Sequence, residues 1–331
     1  MDTITPLADK YGRVATDLRV SVTDRCNLRC QYCMPAEGLE WLPRAEVLTD
    51  DELIRLVRIG VERLGITEVR YTGGEPLLRK GIVDLVARTK MLGVEVALTT
   101  NGLGLRHLAE PLARAGLDRV NVSLDTVRAE TFARLTRRDR LGDVVAGLET
   151  AHHAGLTPVK VNAVLMRDIN DDQAPELLGW CLERGYRLRF IEQMPLDAQG
   201  EWRRDEMVTA AETLERLRTA YDLAPARTPR GSAPAEEYLV DGGPATVGVI
   251  ASVSQPFCGA CDRVRLTADG QIRNCLFARE ESDLRSVLRA GATDAEIADQ
   301  WVRAMATKAA GHGIDDPRFL QPDRPMSAIG G

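Results

Sequence analysis

The chain has 331 residues and a mass of 36.4 kDa, which accommodates about two domains or one α/β barrel with an extension. Hydrophobic residues make up 44% of it and charged residues 28%, so disorder, collagen and coiled coil are excluded as whole-chain descriptions. Lys and Arg number 43 and Asp and Glu 49, and this net charge of −6 predicts no nucleic-acid partner.

Compartment and membrane association can also be judged from the composition. No run of about 18 apolar residues occurs, so we expect no membrane span. The first residues lack the apolar segment of a secretory signal peptide, and seven cysteines are too few for a disulfide scaffold. We therefore expect a cytoplasmic enzyme whose thiols are reduced.

Short runs rich in Val, Ile and Leu alternate with amphipathic helical segments along the first two thirds of the chain. Strands are predicted at residues 18–22, 68–71, 95–98, 119–122, 158–164 and 188–191. Helices are predicted at residues 82–92, 106–115, 141–154 and 174–184, and another begins at Thr49, which forms a capping box with Glu52. Six strand–helix units favour an α/β fold in the form of an open partial (β/α)6 TIM-type barrel. A doubly wound flat sheet is the competing architecture.

The pattern changes after residue 223. Two hairpins are predicted, from residues 238–240 and 246–250 and from residues 263–267 and 271–274, followed by helices at 283–289 and 294–307. Residues 312–331 look irregular. We predict a barrel domain at residues 1–223 and a C-terminal α+β extension at residues 224–331.

Cys26, Cys30 and Cys33 form the first of two cysteine groups, with the spacing C-x3-C-x2-C. Three thiolates within eight residues can bind three irons of a 4Fe-4S cluster, which leaves the fourth iron open for a ligand. A zinc site or three unrelated buried thiols are the alternatives.

This spacing, with Tyr32 before the third cysteine, resembles the radical S-adenosylmethionine (SAM) superfamily. The resemblance implies that SAM binds the open iron and is cleaved by one electron to a 5′-deoxyadenosyl radical, with Tyr32 against the adenine. The sequences TGGEP at 72–76 and TTNG at 99–102 agree with it, because both follow predicted strands. A barrel places its chemistry at those carboxyl ends.

Cys258, Cys261 and Cys275 form the second group, C-x2-C-x13-C, which again lacks a nearby fourth ligand. A second 4Fe-4S cluster with an open iron is the economical interpretation, and a zinc ribbon is the alternative. Cys181 lies in an apolar helical run and is expected to pack in the core. The Arg-x-Arg sequence directly after Cys261 places two guanidinium groups on one face of a strand, which suits a phosphorylated substrate.

The second spacing, its Arg-x-Arg and the Gly-Gly at the end of the sequence resemble the GTP 3′,8-cyclase family of molybdenum cofactor biosynthesis over nearly the whole chain. The resemblance implies conversion of GTP to (8S)-3′,8-cyclo-7,8-dihydroguanosine 5′-triphosphate, the first step of that pathway. A hydrogen atom leaves C3′ of the ribose, and C3′ then bonds to C8 of guanine. A homodimer, an electron donor of unknown identity and no catalytic side chain beyond the cofactors are also implied.

Carried over by position, the resemblance implies two sets of binding residues. The residues expected to contact GTP are Arg19, Arg70, Thr100, Lys160, Arg263 and Arg265, with Arg189 as a further candidate. Those expected around SAM are Tyr32, Gly74, Ser123 and Met194, and the Gly330-Gly331 tail is expected to enter the site. Glu68 stands where family members often carry lysine.

Two other functions compete. One is a different radical SAM enzyme with an auxiliary cluster, such as a peptide-modifying maturase. The other is a zinc-dependent binding or scaffold protein in which neither cysteine group does chemistry.

Overall fold

Parallel strands that follow one another in chain order form the centre of the main sheet in the computed structural model, which describes residues 4–330. β3 to β8 lie side by side in that order, and β1 pairs with β2 in a separate hairpin. The strands are β1 (Leu7–Ala8), β2 (Val14–Ala15), β3 (Asp17–Ser21), β4 (Glu68–Thr72), β5 (Glu95–Thr100), β6 (Arg119–Ser123), β7 (Lys160–Val164), β8 (Arg187–Ile191), β9 (Leu223–Pro225), β10 (Glu236–Val240), β11 (Thr246–Ile250), β12 (Arg263–Leu266), β13 (Gln271–Arg273) and β14 (Ser282–Asp283).

Helices connect the parallel strands and continue into the C-terminal third. They are α1 (Asp50–Leu64), α2 (Ile82–Lys90), α3 (Leu105–Arg114), α4 (Ala129–Thr136), α5 (Leu141–His153), α6 (Ala174–Glu183), α7 (Ala210–Arg218), α8 (Leu284–Arg289), α9 (Asp294–Ala306) and α10 (Met326–Ile329). None of these helices of residues 4–330 has the length and apolar character needed to cross a membrane.

The C-terminal strands extend both edges of the six-stranded centre. β12 pairs in parallel with β3 and continues to β13 and β14, while β11 pairs in parallel with β8 and continues to β10 and β9. The result is a twelve-stranded sheet that ends at β14 and β9, and within the described residues it does not close. Strand order progresses without the reversal of a doubly wound sheet, so the predicted open partial barrel is confirmed.

Several elements differ from the sequence prediction. α4 and α7 were not predicted, although α7 carries a capping box between Thr209 and Glu212 that identifies its start. The tail, predicted to be irregular, forms the short helix α10 because Pro325 begins a turn that closes on Ile329 and Gly330. The division into two domains at residue 223 stays a prediction, since β9 begins there and joins the common sheet.

Alternating side chains give the central strands two different faces. In β3, Leu18 and Val20 are fully buried in the main hydrophobic core with residues of α1, while Arg19 points to the opposite side, into the barrel. Cys181 is also fully buried in this core, as predicted. The apolar layer behind the sheet thus fixes which polar side chains face the interior.

Trp301 of α9 joins the C-terminal region to this core. It is fully buried, and its ring lies close to Gly60 of α1, where an added Cβ would stand 3.6 Å from it. We expect Trp301→Ala to lower the free energy of unfolding by about 3–5 kcal/mol, measured by denaturant titration, because it leaves a large cavity. Met91→Ala, at a side chain that is 78% exposed, is the control and should change little. Equal effects of the two substitutions would contradict this account of the core.

Candidate active site

One cavity of about 270 Å³ lies inside the barrel, between the loop after β3 at the carboxyl ends of the central strands and the cysteines that precede β12 at their amino ends. Polar and cysteine side chains from the barrel and from the C-terminal region share its wall, and we call it the central cavity. Its wall includes Arg19, Tyr32, Arg70, Thr99, Ser123, Asp125, Asn162, Arg189, Met194, Cys258, Cys261, Arg263, Arg265, Cys275, His312 and Met326. Tyr32, Ser123 and Asp125 stand at the carboxyl ends, where barrels usually place binding groups, and the cysteines before β12 add a second set from the amino ends.

The first cysteine group lies in the loop after β3. The backbone N–H groups of Arg29 and Gln31 donate to carbonyls of Thr136 and Leu135 at the end of α4, which holds the loop against the barrel. The N–H of Cys33 donates to the carbonyl of Cys30 at 3.0 Å, and the amide of Asn101 lies 3.7 Å from the sulfur of Cys26. α4, which the sequence analysis missed, therefore helps to shape this loop.

Burial disfavours the thiolate form in this loop. It raises the pKa of Cys33 to about 12, and it raises the pKa values of Cys26 and Cys30 as well. Iron bound to the sulfurs supplies the positive charge that such buried thiolates need. No three His, Cys, Asp or Glu side chains within residues 4–330 could share a single metal ion. In a cluster each thiolate binds its own iron, so the first group fits a cluster better than mononuclear zinc.

The TGGEP sequence packs directly against the start of the cysteine loop. A Cβ at Gly73, which has φ +137°, would stand 2.3 Å from the carbonyl oxygen of Thr23, and one at Gly74 would stand 2.3 Å from that of Arg25. Both positions require glycine because backbones approach so closely. The N–H groups of Gly74 and Glu75 donate to those same two carbonyls at 2.8 Å and 2.7 Å.

Thr100 is not part of the cavity wall, although the resemblance implied a contact with GTP. It is 2% exposed, and its hydroxyl donates to the buried carboxyl of Glu75 at 2.7 Å and accepts from Gly102 at 3.0 Å. Thr99 lines the cavity instead, since adjacent strand residues face opposite sides. Burial raises the pKa of Glu75 to about 7 despite its hydrogen bonds.

Tyr32 meets a buried acid that the sequence analysis did not single out. Its hydroxyl donates to Asp125 at 2.8 Å, and the other oxygen of Asp125 accepts from the N–H of Val164 at 2.9 Å. Burial raises the pKa of Asp125 to about 6. Ser123 and Met194 lie on the same cavity wall, so three of the four residues expected around SAM surround this one space.

A row of arginines crosses the floor of the central cavity. Arg265 of β12 lies opposite Arg19 of β3 in register, and Arg19 lies opposite Arg70 of β4. Arg263 lies two residues before Arg265 on the same face, and its guanidinium stands over the ring of Phe257 at 4.9 Å. The side chains of Arg19, Arg70 and Arg263 are 13%, 12% and 10% exposed, so the row is largely withdrawn from water.

These cations are crowded and poorly neutralised. Burial and neighbouring arginines lower the pKa of Arg19 to about 10 and those of Arg265 and Arg189 to about 9. The same causes lower the pKa of Lys160, on the cavity-facing side of β7, to about 8. Asp17 is the buried carboxylate nearest to them, with one oxygen 3.5 Å from Arg19 and the other without a hydrogen bond. Such a site favours an anion of several charges.

Glu68 supports the arginine row from one end. Its carboxylate lies 2.6 Å from Arg70 and 2.8 Å from Arg119, so it orients Arg70. The Nε atoms of Arg19 and Arg70 are buried and have no hydrogen-bond partner. These free donors fit a bound anion, because an unmade hydrogen bond at a buried group is costly.

Arg189 is held at the other side of the cavity by two amides. Its Nε donates to Asn162 at 3.0 Å, and its Nη2 donates to Asn121 at 2.9 Å. Gly248 lies opposite it on β11, where an added Cβ would stand 2.9 Å from the Cγ of Arg189. The missing side chain at Gly248 leaves the space that this arginine occupies.

The second cysteine group is assembled by the β12–β13 hairpin. Cys258 and Cys261 flank a 3-10 turn before β12, and the hairpin returns the chain to Cys275, so all three line the central cavity. Burial raises the pKa of Cys258. Burial opposes ionisation of Cys261 too, but Arg263 and Lys308 together lower its pKa.

His312 is the candidate for a fourth protein ligand of the second cysteine group. Its Nδ1 accepts from the N–H of Ile314 at 3.1 Å, which leaves Nε2 to donate to the carbonyl of Ser252 at 3.1 Å. Both ring nitrogens are therefore engaged. Within residues 4–330 the second group therefore consists of three thiols, and His312 is not free to act as a fourth ligand. This fits a cluster with one open iron.

The tail returns into this site. The carbonyl of Gly330 accepts a hydrogen bond from Arg265, and Ile329 is fully buried against Leu196 and Phe277. A Cβ at Gly330, which has φ +84°, would stand 2.6 Å from the Cγ2 of Thr72. Gly331 lies outside the described residues.

Two family profiles match the chain. Residues 20–181 match the profile of the radical SAM superfamily, and residues 186–314 match one described as Molybdenum Cofactor Synthesis C. A GTP 3′,8-cyclase of Streptomyces coelicolor is 65% identical over 328 residues, which cover 98% of this chain and 96% of that relative. A GTP 3′,8-cyclase of Mycobacterium sp. strain KMS is 65% identical over 333 residues, covering 100% of this chain and 95% of the relative.

Solved structures share the fold. Native anSMEcpe with bound AdoMet superposes with a TM-score of 0.61 at 14% identity, covering 90% of this chain and 82% of that one. Streptococcus suis SuiB bound to S-adenosylmethionine gives a TM-score of 0.59 at 16% identity, covering 86% and 68%. At such identities the likeness concerns the fold alone.

The cation row predicts that the ligand-free protein binds polyanions. We expect tripolyphosphate to raise the melting temperature, because it binds the folded state and offsets the repulsion between buried arginines. Arg265→Met should weaken tripolyphosphate binding about tenfold or more, since charge-assisted hydrogen bonds contribute ~1.5–3 kcal/mol. Arg114→Met, at a side chain that is 70% exposed, is the control. The same binding constant for both variants would refute this role of the row.

Proposed function

Because the chain belongs to the GTP 3′,8-cyclase family of the radical SAM superfamily, we propose that it converts GTP to (8S)-3′,8-cyclo-7,8-dihydroguanosine 5′-triphosphate in molybdenum cofactor biosynthesis. The observation that carries the proposal is the shared central cavity. The second cysteine group, Tyr32 of the first cysteine loop and the arginine row all open on it. An enzyme in which a radical from one cofactor reacts with a nucleotide needs the cofactor and the nucleotide-binding residues to open on the same cavity.

In this proposal Cys26, Cys30 and Cys33 would hold a 4Fe-4S cluster with SAM on its open iron. SAM would supply there, after one-electron reduction, the 5′-deoxyadenosyl radical for removal of the hydrogen atom from C3′ of the ribose. Tyr32, Ser123 and Met194 would contact SAM from the cavity wall. Gly74 would contact the SAM amino acid group through its carbonyl, because its N–H already donates to the carbonyl of Thr23.

The arginine row would bind the triphosphate of GTP. Arg19, Arg70, Arg263 and Arg265 supply guanidinium groups from three adjacent strands, and several fixed cations match a ligand of about four negative charges. Arg189 and Lys160 would complete the set from β8 and β7. Thr99 takes the place on the cavity wall that the resemblance gave to Thr100.

The second cysteine group would orient the base. Cys258, Cys261 and Cys275 hold a second 4Fe-4S cluster in this proposal, and its open iron is available to the guanine. With the triphosphate fixed by arginines and the base fixed at the other end, rotation of the ribose is restricted and C3′ is presented in one orientation. Apolar side chains such as Phe257 and Phe277 limit water in the cavity.

The tail would complete the wall of the active site. Gly330 already contacts Arg265, so it would keep that guanidinium oriented beside the TGGEP loop. We further propose that the enzyme works in the cytoplasm as a homodimer with GTP as its substrate and a separate electron donor.

Anaerobic turnover tests the reaction directly. Protein reconstituted with iron and sulfide should contain about eight irons and eight sulfides, as two four-iron clusters require. With SAM, a reductant and GTP, mass spectrometry should find 5′-deoxyadenosine and a product isobaric with GTP. Stoichiometric zinc without sulfide would favour the scaffold alternative, and radical formation without consumption of GTP would favour a different radical SAM enzyme.

Cys258→Ala separates the two cysteine groups. The variant should lose the second cluster, about four irons, because one of its three thiolate ligands is removed. It should still cleave SAM to 5′-deoxyadenosine when reduced, since the first group is intact, but it should not convert GTP. Cys181→Ala, at the core thiol, is the matched control and should retain both clusters. GTP turnover by Cys258→Ala at the unchanged rate would refute the role of the second group.

A further inference from the structure

Lys308 is a buried lysine directly behind the second cysteine group. The chain has five lysines among its 43 basic residues, and this one is 2% exposed. Its ammonium lies 3.3 Å from the carbonyl oxygen of Cys261, 3.5 Å from the sulfur of Cys261 and 3.0 Å from the carbonyl oxygen of Arg263. Three N–H donors thus meet three acceptors, and none of the three is a carboxylate.

A buried ammonium with this set of partners needs a negative charge nearby. Two carbonyls satisfy hydrogen bonds but do not neutralise the charge, and burial of an unpaired cation is costly. The remaining partner is the sulfur of Cys261, which becomes a thiolate when it binds iron. When iron is bound, the ammonium of Lys308 and the thiolate of Cys261 therefore form an ion pair.

Lys308 is fixed in place from both sides. Its own N–H donates to the carbonyl of Met305 at the end of α9. Arg13 holds the next two residues and the cysteine loop together, because its guanidinium donates to carbonyls of Ala309 at 2.6 Å, Ala310 at 2.8 Å and Cys258 at 2.8 Å. This frame fixes the backbone of Lys308, and the three contacts to Cys261 and Arg263 hold its ammonium.

Its position excludes direct contact with a ligand in the central cavity. Cys261 and Arg263 line that cavity, whereas Lys308 lies behind them and is not part of the wall. Lys308 therefore acts on the site through its partners, the carbonyls of Cys261 and Arg263 and the sulfur of Cys261, and only the sulfur is a cluster ligand. The first cysteine group offers a contrast, because the side chain that donates to Cys26 is the neutral amide of Asn101, at the longer distance of 3.7 Å.

We propose that Lys308 is a positioning residue that raises the reduction potential of the second iron–sulfur cluster through its ammonium–sulfur contact with Cys261. The inference rests on the proposed function, which places that cluster on Cys258, Cys261 and Cys275. Reduction adds a negative charge, and a nearby cation that donates to a ligand sulfur stabilises the reduced form. The arginines of the cavity are available to the substrate, but Lys308 stays with the cluster.

The test measures the potential of the second cluster alone. In the full chain with Cys26→Ala, Cys30→Ala and Cys33→Ala, the second cluster is titrated with reductant and followed by electron paramagnetic resonance. At the midpoint of this parent protein, adding Lys308→Met should raise the ratio of oxidised to reduced cluster at least tenfold, about 59 mV for one electron. Lys308→Arg keeps the charge and should stay near the parent value.

Lys90→Met is the matched control, since Lys90 is a half-buried cation that pairs with Asp118 at 2.7 Å, away from both cysteine groups. It should leave the potential unchanged. A Lys308→Met protein with full iron content and the parent potential overturns the inference and leaves the proposed function intact. A parent protein without iron overturns the second cluster, and with it this inference.

If the Lys308→Met protein loses iron, the contact is measured instead in the parent protein, in which Lys308 is retained. Lysine labelled with a heavy nitrogen isotope is incorporated into the parent protein, in which only five lysines carry the label. Coupling between the reduced cluster and a lysine nitrogen supports the contact through sulfur. Absence of any such coupling overturns it.

Discussion

Like charges held close together in a low-dielectric space are the constraint on which this molecule depends. Arg265, Arg19 and Arg70 stand side by side on adjacent strands, and two carboxylates, Asp17 beside Arg19 and Glu68 beside Arg70, partly balance their charge. Their repulsion is tolerated because the opposite face of the same strands, with Leu18 and Val20, is packed into the core. The fold thus uses apolar burial on one side of the sheet to keep a site for a polyanion on the other.

A single sheet relates the two cysteine groups. The first loop follows β3, and the second precedes and follows the β12–β13 hairpin, which pairs with β3 directly. Their separation is therefore set by backbone hydrogen bonds between neighbouring strands, which are stiffer than a flexible linker between domains. Close glycine contacts at Gly73 and Gly74 and the grip of Arg13 on the C-terminal segment then fix the loops themselves.

Local patterns in the sequence predicted ten of the fourteen strands of residues 4–330, all but β1, β2, β9 and β14, together with most helices, because hydrophobic periodicity is visible without knowledge of neighbours. The resemblance implied a GTP contact for Thr100, whereas its hydroxyl is buried against Glu75 and Thr99 lines the cavity, because the two faces of TTNG look alike until the core is known. Asp125 and Lys308 escaped notice for a different reason. Each meets its partner across tens of residues, Tyr32 in one case and Cys261 in the other, and no local motif marks such a contact. The support that Glu68 gives to Arg70 likewise needs the register of three strands.

The sheet extension also governs the state of the chain while it is being synthesised. β3 and β8 are edge strands until β12 and β11 pair with them, and β12 follows β3 by more than two hundred residues. A nascent barrel on the ribosome therefore exposes two unpaired backbone edges, each able to recruit a strand from another chain. Translation of the C-terminal third covers β8 with β11 and then β3 with β12, and it moves the sheet edges to the short strands β9 and β14. An interruption before that point therefore leaves a species prone to aggregation rather than a smaller enzyme.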